Sequence, residues 1–198
     1  MTSCVLYIHG KGGSAAEAEH YRELFPDREV VGLDYKTFTP WETGREIAEA
    51  AAALRGRFDS VILVANSIGA YFSMCAGIDD LVGKAYFISP IVDMERLILD
   101  MMAWASVTEA ELEKRCTIPT DFGETLSWEY LVYVRAHPVK WNAQTAILYG
   151  DRDELTSYET ISSFAAKTGA SLTVMTGGEH WFHTAEQMRF LDGWIKSN

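Results

Sequence analysis

Six short apolar runs, each followed by a stretch of helical pattern or by a glycine-rich loop, constrain this chain more than any other feature. They are Cys4-Val5-Leu6-Tyr7-Ile8, Glu29-Val30-Val31-Gly32-Leu33, Val61-Ile62-Leu63-Val64, Lys84-Ala85-Tyr86-Phe87-Ile88, Thr145-Ala146-Ile147-Leu148 and Ser171-Leu172-Thr173-Val174-Met175. Short apolar strands joined by helices imply an α/β architecture: a parallel sheet with helices covering both faces. Between them, Ser14 opens a helix expected to run to about Phe25, with the Ser14-x-x-Glu17 spacing of a capping box. Thr43 to Arg55 reads as an alanine-rich helix with Ile47 and Leu54 on its apolar face, and a further helix runs from Ser67 through Ala76. Residues 91–144 break the alternation, because they hold far more than one crossover helix. Met94–Ala105, Glu109–Cys116 and Ser127–Ala136 read as short helices there, with Pro119 and Pro138 as breaks.

Composition narrows the class. A chain of 198 residues is most simply one domain, able to bury roughly 70% of the surface its unfolded form exposes. A net charge of −11 argues against a nucleic-acid partner, which needs clustered Lys and Arg, and equally against an anionic membrane surface. The three cysteines, Cys4, Cys75 and Cys116, are an odd number in apolar contexts, so buried thiols are expected rather than a disulfide framework or a zinc site. No His or Cys cluster has metal-ligand spacing and no apolar run is long enough to span a bilayer. Residues 4–8 already belong to a core strand, so no leader is expected and the cytoplasm is the default location.

Four loops at strand ends carry chemistry-bearing residues. His9-Gly10-Lys11-Gly12-Gly13-Ser14 follows the first strand, and its glycines let backbone N–H groups turn inward toward an anion. Ala65-Asn66-Ser67-Ile68-Gly69 turns the third strand abruptly into a helix, a corner that exposes the serine hydroxyl. Tyr149-Gly150-Asp151-Arg152-Asp153 follows the fifth strand, and Gly177-Gly178-Glu179-His180-Trp181-Phe182-His183 the last. Ligands of open α/β sheets bind at these carboxyl ends. The same first loop also satisfies a dinucleotide fingerprint, Gly10-x-Gly12-x-x-Ala15 with Asp34 at the end of the next strand, which would imply a small NAD(P)-dependent reductase.

The serine–acid–histidine order of these loops resembles the α/β-hydrolase superfamily over nearly the whole chain, with Ala65 standing where the usual G-x-S-x-G has glycine. The resemblance implies a minimal six-stranded, mostly parallel sheet of spatial order 2-1-3-4-5-6, and one domain over residues 1–198 with a helical cap insertion at about 91–144. It implies Ser67 as nucleophile, His180 as base and Asp153 as the acid that orients it, with Asp151 and Asp93 as rival acids and His183 as rival base. The backbone N–H groups of Lys11 and Ile68 would bind the oxyanion, while His9 braces their loop. Met101, Met102, Trp104, Phe122, Trp128, Tyr130 and Tyr133 of the insertion are candidate substrate-binding residues, and Lys11, Arg135 and Arg152 are the cations that would have to offset the acidic field for an anionic substrate. The expected activity is a cofactor-free, metal-free serine hydrolase acting on a small carboxylic ester or thioester. The alternatives are a catalytically inactive hydrolase fold used as a binding module and the reductase already named.

Overall fold

The computed structural model describes residues 2–198. In chain order the elements are β1 (Ser3–Ile8), a 3₁₀ turn (Ala15–Glu17) leading into α1 (Ala18–Arg22), β2 (Glu29–Leu33), α2 (Pro40–Arg55), β3 (Ser60–Asn66), α3 (Ile68–Cys75) and β4 (Val82–Ile88). Then come α4 (Met94–Trp104), α5 (Glu109–Arg115), β5 (Thr117–Pro119), β6 (Thr125–Ser127), α6 (Trp128–Ala136), β7 (Thr145–Gly150), α7 (Tyr158–Thr168), β8 (Ser171–Met175) and α8 (Ala185–Ser197). The main sheet has six strands in the order β2-β1-β3-β4-β7-β8. Every neighbouring pair in it is parallel, and the order is the expected 2-1-3-4-5-6 of its own strands. The register aligns Ile8 with Ala65 and Ala65 with Phe87, so β1, β3 and β4 end level at their carboxyl edge.

Strand alternation divides the apolar side chains between the two faces. On one face Val5 and Tyr7 of β1, Val64 of β3, Tyr86 and Ile88 of β4 and Leu148 of β7 pack with Leu191, Trp194 and Ile195 of α8. Cys4, Leu6 and Ile8 of β1 alternate with these and are fully buried as well. Both faces of the central strands are therefore dry, which is why their sequences read as continuous apolar runs.

Two elements depart from the expectations. Helix α2 starts at Pro40, three residues before Thr43, with Thr39 as its N-cap and proline in the first turn, where its missing N–H costs nothing. The expected helix from Ser14 to Phe25 is instead the 3₁₀ turn plus the five-residue α1. Two contacts hold this turn in place. The Glu17 carboxylate folds back onto Ser14 N–H at 3.2 Å. Gly32 of β2 also lies so close to this turn that an added Cβ would sit 2.2 Å from the Ala15 carbonyl oxygen.

By compactness the chain divides into two units, one of residues up to Val92 together with Lys140–Asn198, the other Asp93–Val139. The second unit contains α4, α5, α6 and an antiparallel hairpin, β5–β6, that the sequence pattern does not announce. Three-residue strands are too short to display a period of two, and the signal that remains is the turn: Gly123 at φ 85°, with Thr120 N–H and hydroxyl both donating to the Glu124 carbonyl. Arg135 of α6 bonds Glu95 of α4 and both oxygens of Glu109 at the start of α5, tying the three helices together. Met102 is buried, Met101 and Trp128 are half-buried, and Trp104 and Phe122 are exposed and meet edge to face. Tyr130 and Tyr133 are half-buried on α6. Cys116 corrects the expectation of buried thiols: it is exposed at φ 63°, where the chain leaves α5 for β5, whereas Cys4 is buried. Among the described residues no helix is long and apolar enough to cross a membrane.

The carboxyl ends of β7 and β8 meet so tightly that a Cβ on Gly150 would lie 2.4 Å from the carbonyl carbon and oxygen of Gly178. Gly150→Ala is therefore expected to lower stability by ~1–3 kcal/mol, read as a reduced denaturation midpoint at unchanged slope. A second expectation concerns alkali. Burial first, then neighbouring Tyr21 and the Glu17 charge, push the Tyr7 phenol far above its ordinary 10.0, and burial with the Glu17 charge does the same for Tyr21 and Tyr35. These phenols ionise more readily in the unfolded chain, so the stability they confer is fully present below pH ~10 and is lost as pH rises above it. Denaturant midpoints measured across the alkaline range should fall from about that pH, alongside a delayed ultraviolet titration of the buried phenols.

Candidate active site

Ser67 sits between β3 and α3 with φ 52° and ψ −122°, a left-handed conformation that only surrounding structure can hold in a non-glycine residue. Three backbone bonds hold it. Its N–H donates to the Ile88 carbonyl at 2.9 Å, and its own carbonyl accepts from Ile91 N–H and Ala70 N–H, both at 3.1 Å. Gly69 supplies the space, since a Cβ there would lie 2.5 Å from the His9 carbonyl and 2.7 Å from that of Ile8. The corner thus exists because α3 runs directly over the end of β1.

The hydroxyl of Ser67 lies 2.7 Å from His180 Nε2, and His180 Nδ1 lies 2.7 Å from Asp153 Oδ2. The Asp153 side chain is wholly shielded from solvent, and its other oxygen accepts from Leu155 N–H at 2.8 Å and Thr156 N–H at 3.0 Å. An ionised carboxylate only accepts, so the proton of the neutral ring belongs on Nδ1, and Nε2 presents its lone pair to the Ser67 hydroxyl. Tyr149 of β7 fixes the far side of the acid loop by donating from its hydroxyl to the Thr156 carbonyl.

The rivals have other engagements. Asp151 Oδ1 accepts from Gly177 N–H at 2.6 Å, bracing the loop after β7 against the turn after β8. Asp93 caps α4 by accepting from Arg96 N–H. His183 places Nδ1 on the Trp181 carbonyl and stacks its ring on the Trp181 indole. Arg135 is engaged by Glu95 through Nε and by Glu109 through Nη1 and Nη2.

The loop after β1 runs beside the serine, for a Cβ on Gly10 would be 3.1 Å from Ser67 Cβ. The Gly10 carbonyl accepts from Gly13 N–H at 3.2 Å and from His9 Nδ1 at 2.8 Å. A trans peptide sets its C=O and N–H on opposite sides, so the Lys11 N–H faces away from that pair of donors. His9 itself is buried and stacked on Tyr35, whose hydroxyl donates to the His9 carbonyl. Tyr35 carries no sequence signal of its own; only the fold brings it under this loop. Ile68 opens α3, so its N–H has no acceptor within the helix. The dinucleotide reading fits this loop poorly: the Glu17 carboxylate packs on Gly13, where it would repel a pyrophosphate, and Asp34 pairs with Lys36. Among the described residues no group of three or more His, Cys, Asp or Glu is placed to hold a metal ion.

No protein-family model matches the chain, and no curated protein matches it. Solved structures do. Est1E from Butyrivibrio proteoclasticus is similar over 99% of this chain and 86% of its own, with a TM-score of 0.73 at 18% identity. Alpha/beta hydrolase domain-containing protein 10 from mouse covers 98% of this chain and 88% of its own, at a TM-score of 0.72 and 16% identity. The thioesterase domain from the curacin biosynthetic pathway covers 98% and 91%, at 0.62 and 16%. The protein has the α/β-hydrolase fold. Within that fold Ala65, in place of the usual glycine, is the penultimate residue of β3, fully buried between Ile8 and Phe87. A methyl fits there, and the steric demand for glycine falls on Gly69 alone of the two positions flanking the elbow.

The hydrogen-bond chain gives a test that needs no substrate. In nitrogen NMR of the neutral protein, His180 is expected to show a protonated Nδ1 and a bare Nε2. Asp153→Asn should disturb that tautomer, and Asp151→Asn should leave it unchanged.

Proposed function

We propose that the protein is a serine hydrolase that cleaves a small carboxylic ester or thioester through an acyl-enzyme. The observation that carries this reading is the unbroken relay from Ser67 through His180 to the shielded Asp153. A serine hydroxyl is a weak nucleophile at its own pKa and needs a base within hydrogen-bond reach. On attack, the Ser67 oxygen bonds to the substrate carbonyl carbon and its proton passes to His180 Nε2. Asp153 stabilises the imidazolium, and His180 then returns the proton to the departing alcohol or thiol. Water, activated by the same base, releases the acid and restores Ser67.

The carbonyl oxygen becomes an oxyanion on attack. The N–H groups of Ile68 and Lys11 are the donors assigned to it, and one such donor is commonly worth about 2.7–4 kcal/mol in the transition state. The choice of a carboxylic acyl group draws support from the similar structures: Est1E has been solved with ferulic acid bound, and the curacin-pathway protein is a thioesterase domain. No cofactor takes part in this scheme.

A fluorophosphonate probe should label Ser67 stoichiometrically, and Ser67→Ala should abolish labelling. Labelling of a different serine, or none in folded protein, would overturn the assignment. With p-nitrophenyl esters, Asp153→Asn and His180→Ala should each reduce kcat by about 10⁴-fold, as losses within a triad do. Asp151→Asn and His183→Ala, which only brace loops, should cost at most ~10-fold.

A further inference from the structure

We propose that Tyr7 and Glu17 are positioning residues for the Lys11 N–H, forming a strut that runs from the sheet core to the loop after β1; this rests on the hydrolase function proposed above. The strut begins in β1. Tyr7 is 1% exposed, lies in register between Gly32 and Val64, and packs its ring on Tyr21 at 5.0 Å. Its hydroxyl donates to Glu17 Oε2. The other carboxylate oxygen, Oε1, accepts from Ser14 N–H at 3.2 Å. The carboxylate also fills the space against Gly13, where an added Cβ would be 2.6 Å from Oε1 and 3.1 Å from Oε2.

Gly13 passes the constraint on. Its N–H bonds to the Gly10 carbonyl, the carbonyl of the same peptide that carries the Lys11 N–H. His9 Nδ1 holds that carbonyl from the other side. Anchoring Gly13 and Ser14 through Glu17 therefore fixes how the Gly10–Lys11 peptide is turned, and so the aim of the donor. The Asn66 side chain faces the same Tyr7 phenol, and Asn66 immediately precedes Ser67. One buried hydroxyl thus lies between the segment that carries Lys11 and the segment that carries Ser67 and Ile68. Glu17 is itself exposed, so its carboxylate bridges the core tyrosine and the surface turn without leaving water.

A misaimed donor affects the oxyanion more than the substrate ground state, so the effect belongs in kcat and not in KM. The test uses the full-length protein and the variants Tyr7→Phe, Glu17→Ala and Glu17→Gln. It measures kcat and KM on a p-nitrophenyl ester, the inhibition constant of a trifluoromethyl ketone whose adduct carries the oxyanion, and fluorophosphonate labelling of Ser67. Tyr7→Phe and Glu17→Ala are expected to lower kcat by ~10–100-fold, the cost of a displaced group, with KM within about twofold and ketone binding weakened in parallel. Glu17→Gln should recover most of the loss, because its amide can still accept from Ser14 N–H and donate to the Tyr7 oxygen. The proposal is overturned if folded Tyr7→Phe and Glu17→Ala keep wild-type kcat and ketone affinity. It is equally overturned if Glu17→Gln is as impaired as Glu17→Ala. Should Tyr7→Phe fail to fold, the Glu17 pair decides alone. Unlabelled Ser67 in the wild type would remove the hydrolase function and the strut together, whereas labelled wild type with unaffected variants removes only the strut.

Discussion

Parallel pairing of all six main-sheet strands is the constraint from which the candidate site follows, because it delivers every strand's carboxyl end to the same edge. β3 runs between β1 and β4, so the corner at Ser67 is clamped from both sides: by the Ile88 carbonyl on one and by the backbone of Ile8 and His9, pressed against Gly69, on the other. A left-handed serine costs on the order of 1–3 kcal/mol, and it persists only where the surroundings over-determine it. Ser89, at the end of β4, is likewise left-handed at φ 42° and wholly buried, with its N–H on the Leu148 carbonyl. Two of the four described non-glycine residues at positive φ, Ser67 and Ser89, thus lie where β3 and β4 finish side by side.

The same edge assembles the relay by backbone contact rather than by side-chain reach. Gly150 and Gly178 touch, Arg152 N–H bonds to the Gly178 carbonyl, and Asp151 bonds to Gly177. The acid loop and the histidine loop therefore behave as one piece. Asp153 is then positioned by two backbone N–H groups from its own loop, and His180 is held through both ring nitrogens, between Asp153 and Ser67.

Much of this arrangement is legible in the residues. The central strands are visible because two-sided burial leaves them almost wholly apolar, and the four loops are visible because each carries glycine close to the end of its strand. Other features were misjudged for local reasons. The turn at Ser14–Glu17 has a capping-box spacing that suits a helix to Phe25, yet it is a 3₁₀ turn pressed against Gly32, and the α-helix covers only Ala18–Arg22. Cys116 directly follows the charged residues Glu113-Lys114-Arg115, turns the corner from α5 to β5 and faces solvent, so the expectation of a buried thiol had no local support. The hairpin at Thr117–Ser127 is too short to leave a periodic trace.

The sequence by itself determined the fold class and the loops that carry the chemistry-bearing residues, because apolar runs and glycine placement act over a few residues and are written locally. The strand order came only with the family resemblance. Only the tertiary structure decided which members of that set meet. Ser67 and His180 are 113 positions apart, and His180 and Asp153 are 27 apart. Asp151 and Asp153 differ by two positions, and nothing local in their loop says which one turns inward to the imidazole. That choice is made by distance and direction across β7 and β8, where a shift of a single residue in register would move every side chain to the opposite face.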